Sequence, residues 1–245
     1  MPVVVDKIGC LPSSTINSLL LKSEFSEGPA WQILGELSDS LARIADAMRQ
    51  AQVGHVTRHW RNEQLAVCNA QGQRLGSVER GAVRPLGIAT RAVHLVGRSS
   101  DGRMWVQQRA LNKSNDPGQW DTLMGGMVSA QDTLQTALAR ETWEEAGLHV
   151  DALRVLTAGG RVCIQRPTAS QGDGGDDLGI GYMVEEIDWF HATLPDGMLP
   201  QNQDGEVEKF ELLDKAELLG RLQRNEFTLE ATLILVAALG ALSTA

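Results

Sequence analysis

Three glutamates and an arginine crowd one short stretch. Arg140, Glu141, Glu144 and Glu145, within ARETWEEAGL, follow the pair Gly125-Gly126. On a helix, positions 141, 144 and 145 fall within one turn of each other. Carboxylates so close repel unless something positive sits among them. A hard divalent cation, which prefers oxygen ligands, is the natural candidate. The double glycine allows a tight loop whose backbone approaches a ligand closely. The bland reading is a surface helix with its acids in water. Against it stand Arg140, inside the acid run, and Leu134, Ala137 and Leu138, one heptad earlier on the same side. On a helical wheel Ala139, Thr142, Trp143 and Ala146 form one stripe, with the three glutamates roughly opposite.

These residues need a helix over 133–146. Asp132 or Thr133 caps its start, Ser129 followed by Asp132 offers a capping-box alternative, and Gly147 ends it. Strands are expected over 89–96 and 104–108, joined by a turn at Ser100-Asp101-Gly102, with a polar loop over 112–120 before the glycines. Further strands are expected at 150–158, 161–165, 182–192 and 206–212, and helices at 215–223 and 228–242. The Gly/Asp-rich stretch 168–178 and the stretch 195–205 read as loops, the former mobile. Upstream, residues 1–30 read as a poorly ordered lead-in. A helix over 31–50, with Leu34, Leu37, Leu41, Ile44, Ala45 and Met48 at helical spacing, and a hairpin of 64–68 and 74–78 around Ala70-Gln71-Gly72 form a small module over 31–85. The remainder, 86–245, reads as one domain. No internal repeat is evident.

The chain has 245 residues and a formal net charge of −9, which argues against non-specific nucleic-acid or anionic-membrane binding. It leaves a phosphorylated small molecule open, because bound metal supplies local positive charge. Cys10, Cys68 and Cys163 are scattered, which fits a reducing compartment, read here as the cytoplasm, and no disulfide framework. The N-terminal residues make a poor secretory signal. The apolar run 229–242 is too short to span a membrane and reads as a buried helix. A second copy of the chain is a candidate partner.

The spacing from Gly126 through Asp132, Arg140-Glu141, Glu144-Glu145, Gly147 and Leu148 resembles the Nudix hydrolase box in full register. Two positions depart from it. Asp132 stands where the family has Glu, one methylene longer, and Thr142 stands where an aliphatic residue is usual. The resemblance implies an α/β (α+β) fold, an α/β/α sandwich with a mixed sheet, here preceded by a small α+β extension. It implies hydrolysis of a small-molecule diphosphate with Mg²⁺ or Mn²⁺. Glu141 would bind metal and orient or deprotonate the attacking water. Arg140 would hold the loop or orient Glu141. Glu144 and Glu145 would be the main metal ligands, with the Gly126 carbonyl as another. In related enzymes a downstream acid completes the metal shell, and Glu206 or Glu208, placed on one face by strand alternation, are the candidates here.

Outside the box, the stretch Gly76-Ser77-Val78 through Gly97, the run Pro117-Gly118-Gln119-Trp120-Asp121-Thr122-Leu123-Met124-Gly125-Gly126 and the run Asn202 to Glu208 resemble the Nudix part of thiamin pyrophosphokinase-like proteins. That resemblance implies a diphosphatase acting on thiamin diphosphate or its oxidised or antagonist forms. Trp120, beside Gly125 and Gly126, is a candidate to stack on a substrate ring, with plain packing as the alternative. A nucleoside diphosphate derivative such as ADP-ribose or a nucleotide sugar is an alternative substrate, and a catalytically silent ligand-sensing Nudix domain is a third reading. The Trp-Asp approach is also similar to isopentenyl diphosphate isomerases, which share the fold and use a Cys and a Glu to move a proton. Met124 stands before the glycine pair here and no Cys lies nearby, which argues against that chemistry. His94 in a core strand and His191 read as hydrogen-bonded interior residues, and His55 and His59 as surface residues.

Overall fold

A computed structural model describes residues 2–3, 20–25, 28–113, 115–167 and 181–242. The expected mobile stretch 168–178 and most of the expected lead-in lie outside them. The chain divides into two compact units: 1–90 with 129–131 and 164–185, and 91–128 with 132–163 and 186–245.

In the first unit, β1 (Pro2–Val3), β2 (Leu20–Phe25) and β3 (Gly28–Ile33) form a sheet in the order β1-β3-β2. Strand structure therefore occupies part of the expected lead-in and the start of the expected first helix. That helix, α1 (Leu37–Gln50), begins later because Gly35 takes φ 90° and Glu36 caps the new start, its side chain accepting the Asp39 N–H at 2.8 Å. Leu34 matched the helical period but lies before this cap. The periodic Leu41, Ile44, Ala45 and Met48 are buried, as an apolar stripe must be. A short helix α2 (Gly54–Arg58) follows. The hairpin β4 (Gln64–Cys68) and β5 (Arg74–Glu79) pairs Leu65 with Val78 and Val67 with Gly76, and its turn closes through Gly72 N–H to the Asn69 carbonyl.

The larger sheet is built from β6 (Thr90–Arg98), β7 (Met104–Arg109), β8 (Trp120–Asp121), β9 (Met124–Met127), β10 (Arg154–Pro167), β11 (Tyr182–Thr193) and β12 (Val207–Leu213), in the order β10-β11-β6-β7-β12, with β8 on β7 and β9 on β6. It is mixed. Neighbours β6 with β7, β6 with β9 and β7 with β12 run antiparallel. By contrast Thr90 meets Val184 and Arg98 meets Leu194, so β6 and β11 run in the same direction. Strand β10 runs continuously through the Gly159-Gly160 pair that the sequence reading took as a break.

Helix α3 (Leu134–Ala146) carries the acids. Its Leu138 and Ala146 enter a core of Leu95, Leu123, Met124, Leu148, Leu153, Ala192 and Leu194. Helices α4 (Lys215–Gln223) and α5 (Leu229–Leu242) complete the unit, burying Leu218 on the first and Ala231, Ile234, Leu235 and Ala238 on the second. The result is an α+β fold with a mixed sheet. Among the described residues no helix is long and apolar enough to cross a membrane.

Candidate functional site

Local chemistry fixes both ends of α3. Thr133 is the N-cap, and its hydroxyl and that of Thr136 satisfy each other's backbone N–H groups. Gly147 closes the helix in the left-handed conformation. Thr142 sits fully buried in place of the usual aliphatic residue. Its hydroxyl donates to the Leu138 carbonyl at 2.6 Å, so the polar group is satisfied within the helix. The stripe expected from the helical wheel is only half right. Thr142 and Ala146 are buried, but Trp143 is 44% exposed and stacks on His149 at 4.5 Å. Glu145, placed opposite the stripe by the wheel, is instead 2% exposed.

The two glycines admit different side chains. A Cβ on Gly126 would stand 2.0 Å from the Glu141 carboxyl carbon, and one on Gly125 would stand 2.4 Å from the His94 ring. The acid of α3 therefore rests directly on the backbone of β9, where Gly126 pairs with Val93.

Arg140 holds this arrangement together. Its guanidinium donates to Glu141 Oε1 at 2.8 Å, Glu144 Oε2 at 2.9 Å, Asp132 Oδ2 at 2.8 Å and the Met127 carbonyl at 3.2 Å. The shorter Asp132 thus still reaches the arginine. Burial pulls the Arg140 pKa down, but its carboxylate partners more than offset this and hold it above the ordinary value. Glu141 is pushed up to about 7, chiefly by burial, against the pull of Arg140, with Glu144 and Glu206 adding to the rise. Glu145 is pushed up to about 8 by burial, although its Oε2 accepts the Gly125 N–H at 3.0 Å and Gln107 Nε2 at 2.8 Å.

The spacing led us to expect the three glutamates to converge on one point. Among the described residues no three acid, His or Cys side chains are gathered closely enough to hold a metal. Arg140 draws Glu141 and Glu144 together as their counter-charge, while Glu145 turns to Gln107 on β7 and Gly125 on β9. The donor set nevertheless suits a hard cation. It is all oxygen, Glu145 is buried where charge is disfavoured, and both donors to Glu145 fall on Oε2, so that among the described residues Oε1 keeps no hydrogen bond.

The downstream acids separate. Glu206 pairs with Lys113, and both charges act on the cluster, Glu206 raising Glu141 and Lys113 lowering Glu145. Glu208 is exposed, at a bulge where the β12 register shifts between Val207 and Lys209. Strand alternation, on which the pairing of Glu206 and Glu208 rested, does not hold there.

Trp120 is 7% exposed, and its ring lies 4.6 Å from the Arg221 guanidinium and 5.2 Å from Lys209 Nζ. The ring expected to stack on substrate is packed under cations from α4 and β12. His94 is the interior residue expected, its Nδ1 2.9 Å from Thr122 Oγ1 and 3.5 Å from Asp121 Oδ1, and Asp121 also meets Arg109. His191 bonds Thr157. The side chain of His55 lies outside the described residues. Sequence reasoning missed Gln107 and Lys113. Neither belongs to the box, although Lys113 stands in the polar loop just before it.

The chain is similar to known proteins. The NUDIX domain family matches residues 89–233, more than half of the chain. An uncharacterized protein of Saccharomyces cerevisiae is 28% identical over 185 residues, 72% of this chain and 54% of that one. Nudix hydrolase 20, chloroplastic, of Arabidopsis thaliana is 30% identical over 162 residues, 62% of this chain and 38% of that one. These matches span about half or less of the relatives' own length. A solved structure from Deinococcus radiodurans shares the fold, with a TM-score of 0.51 and 23% identity over 68% of this chain and 92% of that one.

Proposed function

The chain belongs to the Nudix family, and from that membership we propose that it is a metal-dependent diphosphohydrolase acting on a small organic diphosphate. The observation that carries the reading is Glu141 lying on the Gly126 backbone beside the buried Glu145. A bound Mg²⁺ or Mn²⁺ would screen phosphate charge and lower the pKa of a water. In this reading Glu144, Glu145, the Gly126 carbonyl and Glu206 hold the cation. Glu141 would share it and accept the proton of the attacking water. Arg140 keeps the loop at Met127 and the acids in register.

Residues 86–245 serve as the catalytic domain, with 31–85 as a module preceding it. The resemblance of the flanking stretches favours a thiamin-like diphosphate, hydrolysed with one water to the monophosphate and inorganic phosphate. Because Trp120 is packed away, the ring must be selected elsewhere. The scattered cysteines favour a reducing compartment such as the cytoplasm.

The test is a panel of thiamin diphosphate, its oxidised and antagonist forms, ADP-ribose and a nucleotide sugar. Products are separated by chromatography, with Mg²⁺ or Mn²⁺ and with EDTA. Cleavage of a diphosphate bond that EDTA abolishes is expected, and Glu141→Gln should lower kcat by about 10²–10⁴-fold. Turnover undiminished in EDTA refutes the metal-dependent reading. Far better turnover of ADP-ribose than of every thiamin compound removes the thiamin assignment alone.

A further inference from the structure

Gln107 lies in the middle of β7, 1% exposed, cross-strand from Asp121 on β8 and Phe210 on β12. An interior strand position of this kind normally takes an apolar side chain. A carboxamide there must satisfy its polar atoms, and Gln107 does so only in part. Its Nε2 donates to Glu145 Oε2 at 2.8 Å, while its Oε1 is buried with no hydrogen-bond partner among the described residues. An open acceptor in the interior costs roughly 1–3 kcal/mol, so the residue is poorly explained as packing.

What the amide does accomplish is geometric. The Gly125 N–H reaches the same oxygen of Glu145 from β9. Two donors from two strands converge on Oε2, and α3 fixes the other end of the side chain. A carboxylate held at one oxygen by two donors cannot turn about its last bond, so the direction of Oε1 is set. That oxygen keeps no hydrogen bond among the described residues. The amide also favours the charged form of Glu145, opposing burial.

We propose that Gln107 is a positioning residue that pins Glu145 at one oxygen and leaves the other available to a cation. This proposal rests on the metal-dependent reading above. It adds to the acids of the box a neutral side chain 38 residues away in sequence.

The test uses the full chain without substrate, with Mn²⁺ as the probe, followed by electron paramagnetic resonance of the free ion. Gln107→Met keeps the length and removes both amide atoms. Losing such an outer contact should weaken Mn²⁺ binding about 10–100-fold. The thermal midpoint in EDTA should stay level or rise, since an unsatisfied buried acceptor is lost. Gln107→Leu supplies the same comparison if the methionine variant folds poorly. Wild-type Mn²⁺ affinity in a folded variant overturns the proposal while leaving the metal site intact. A lower midpoint with unchanged affinity marks a purely structural residue and overturns it too. If the wild-type chain itself binds no Mn²⁺, the metal reading fails, and this proposal with it.

Discussion

Replacing Glu145 with glutamine should make the metal-free protein more stable at alkaline pH while weakening its grip on metal. The glutamate is 2% exposed and its carboxyl is pushed from the ordinary 4.5 up to about 8, so solvent screening offers no discount. That displacement corresponds to about 5 kcal/mol between protonation states, an upper bound because Glu141 titrates beside it. The sign follows from proton counting. The unfolded chain loses this proton near 4.5 and the folded chain keeps it to about 8, so between those values the folded state binds more protons and stability falls as pH rises. Glutamine has the same shape and does not titrate.

In EDTA, the two proteins should therefore match near pH 5, and the variant should lead by a few kcal/mol near pH 9. Urea unfolding at several pH values reads this as a shift in midpoint at constant slope. Under saturating Mn²⁺ the variant's lead should shrink. A ligand at a hundred times its Kd adds about 2.7 kcal/mol to the wild type, and the variant forfeits most of that. Equal pH slopes in EDTA, or a variant less stable than wild type near pH 9, would refute the argument that burial without compensation sets the Glu145 charge.

Two other substitutions separate packing from chemistry. Trp120→Ala removes a buried ring covered by Arg221 and should cost about 3–5 kcal/mol in urea unfolding, with every substrate affected alike. A raised KM for ring-bearing substrates alone, at unchanged stability, would restore the ring to substrate binding. Gly126→Ala would place a Cβ 2.0 Å from the Glu141 carboxyl carbon, so Glu141 must leave its seat on β9. The fold should survive by circular dichroism, while kcat falls toward the level of Glu141→Gln. Full activity would show that this seat is dispensable.

The parts legible in the sequence were those whose cause is local. The α3 boundaries follow from Thr133 and Gly147, and the hairpin from the turn at Gly72. The glycine pair could be read as a close approach because little else explains two adjacent residues without side chains. What stayed hidden depends on partners far along the chain. Arg221 covers Trp120 from a helix a hundred residues later, and the bulge at Val207–Lys209 undid the alternation that made Glu206 and Glu208 look equivalent. The least legible feature of α3 was which of its residues are buried. A helical wheel set Trp143 in one stripe with Thr142 and Ala146, yet Trp143 is 44% exposed, while Glu145, on the side of Leu134, Ala137 and Leu138, is 2% exposed. The burial of Glu145 suits the proposed cation site. An acid that is to bind a metal tightly must give up its water, and the exposed indole beside it has no such duty. The departure from the apolar pattern was therefore the informative signal in α3, and its counterpart in β7 is Gln107, a polar residue among buried neighbours that meets the same carboxylate from the other side.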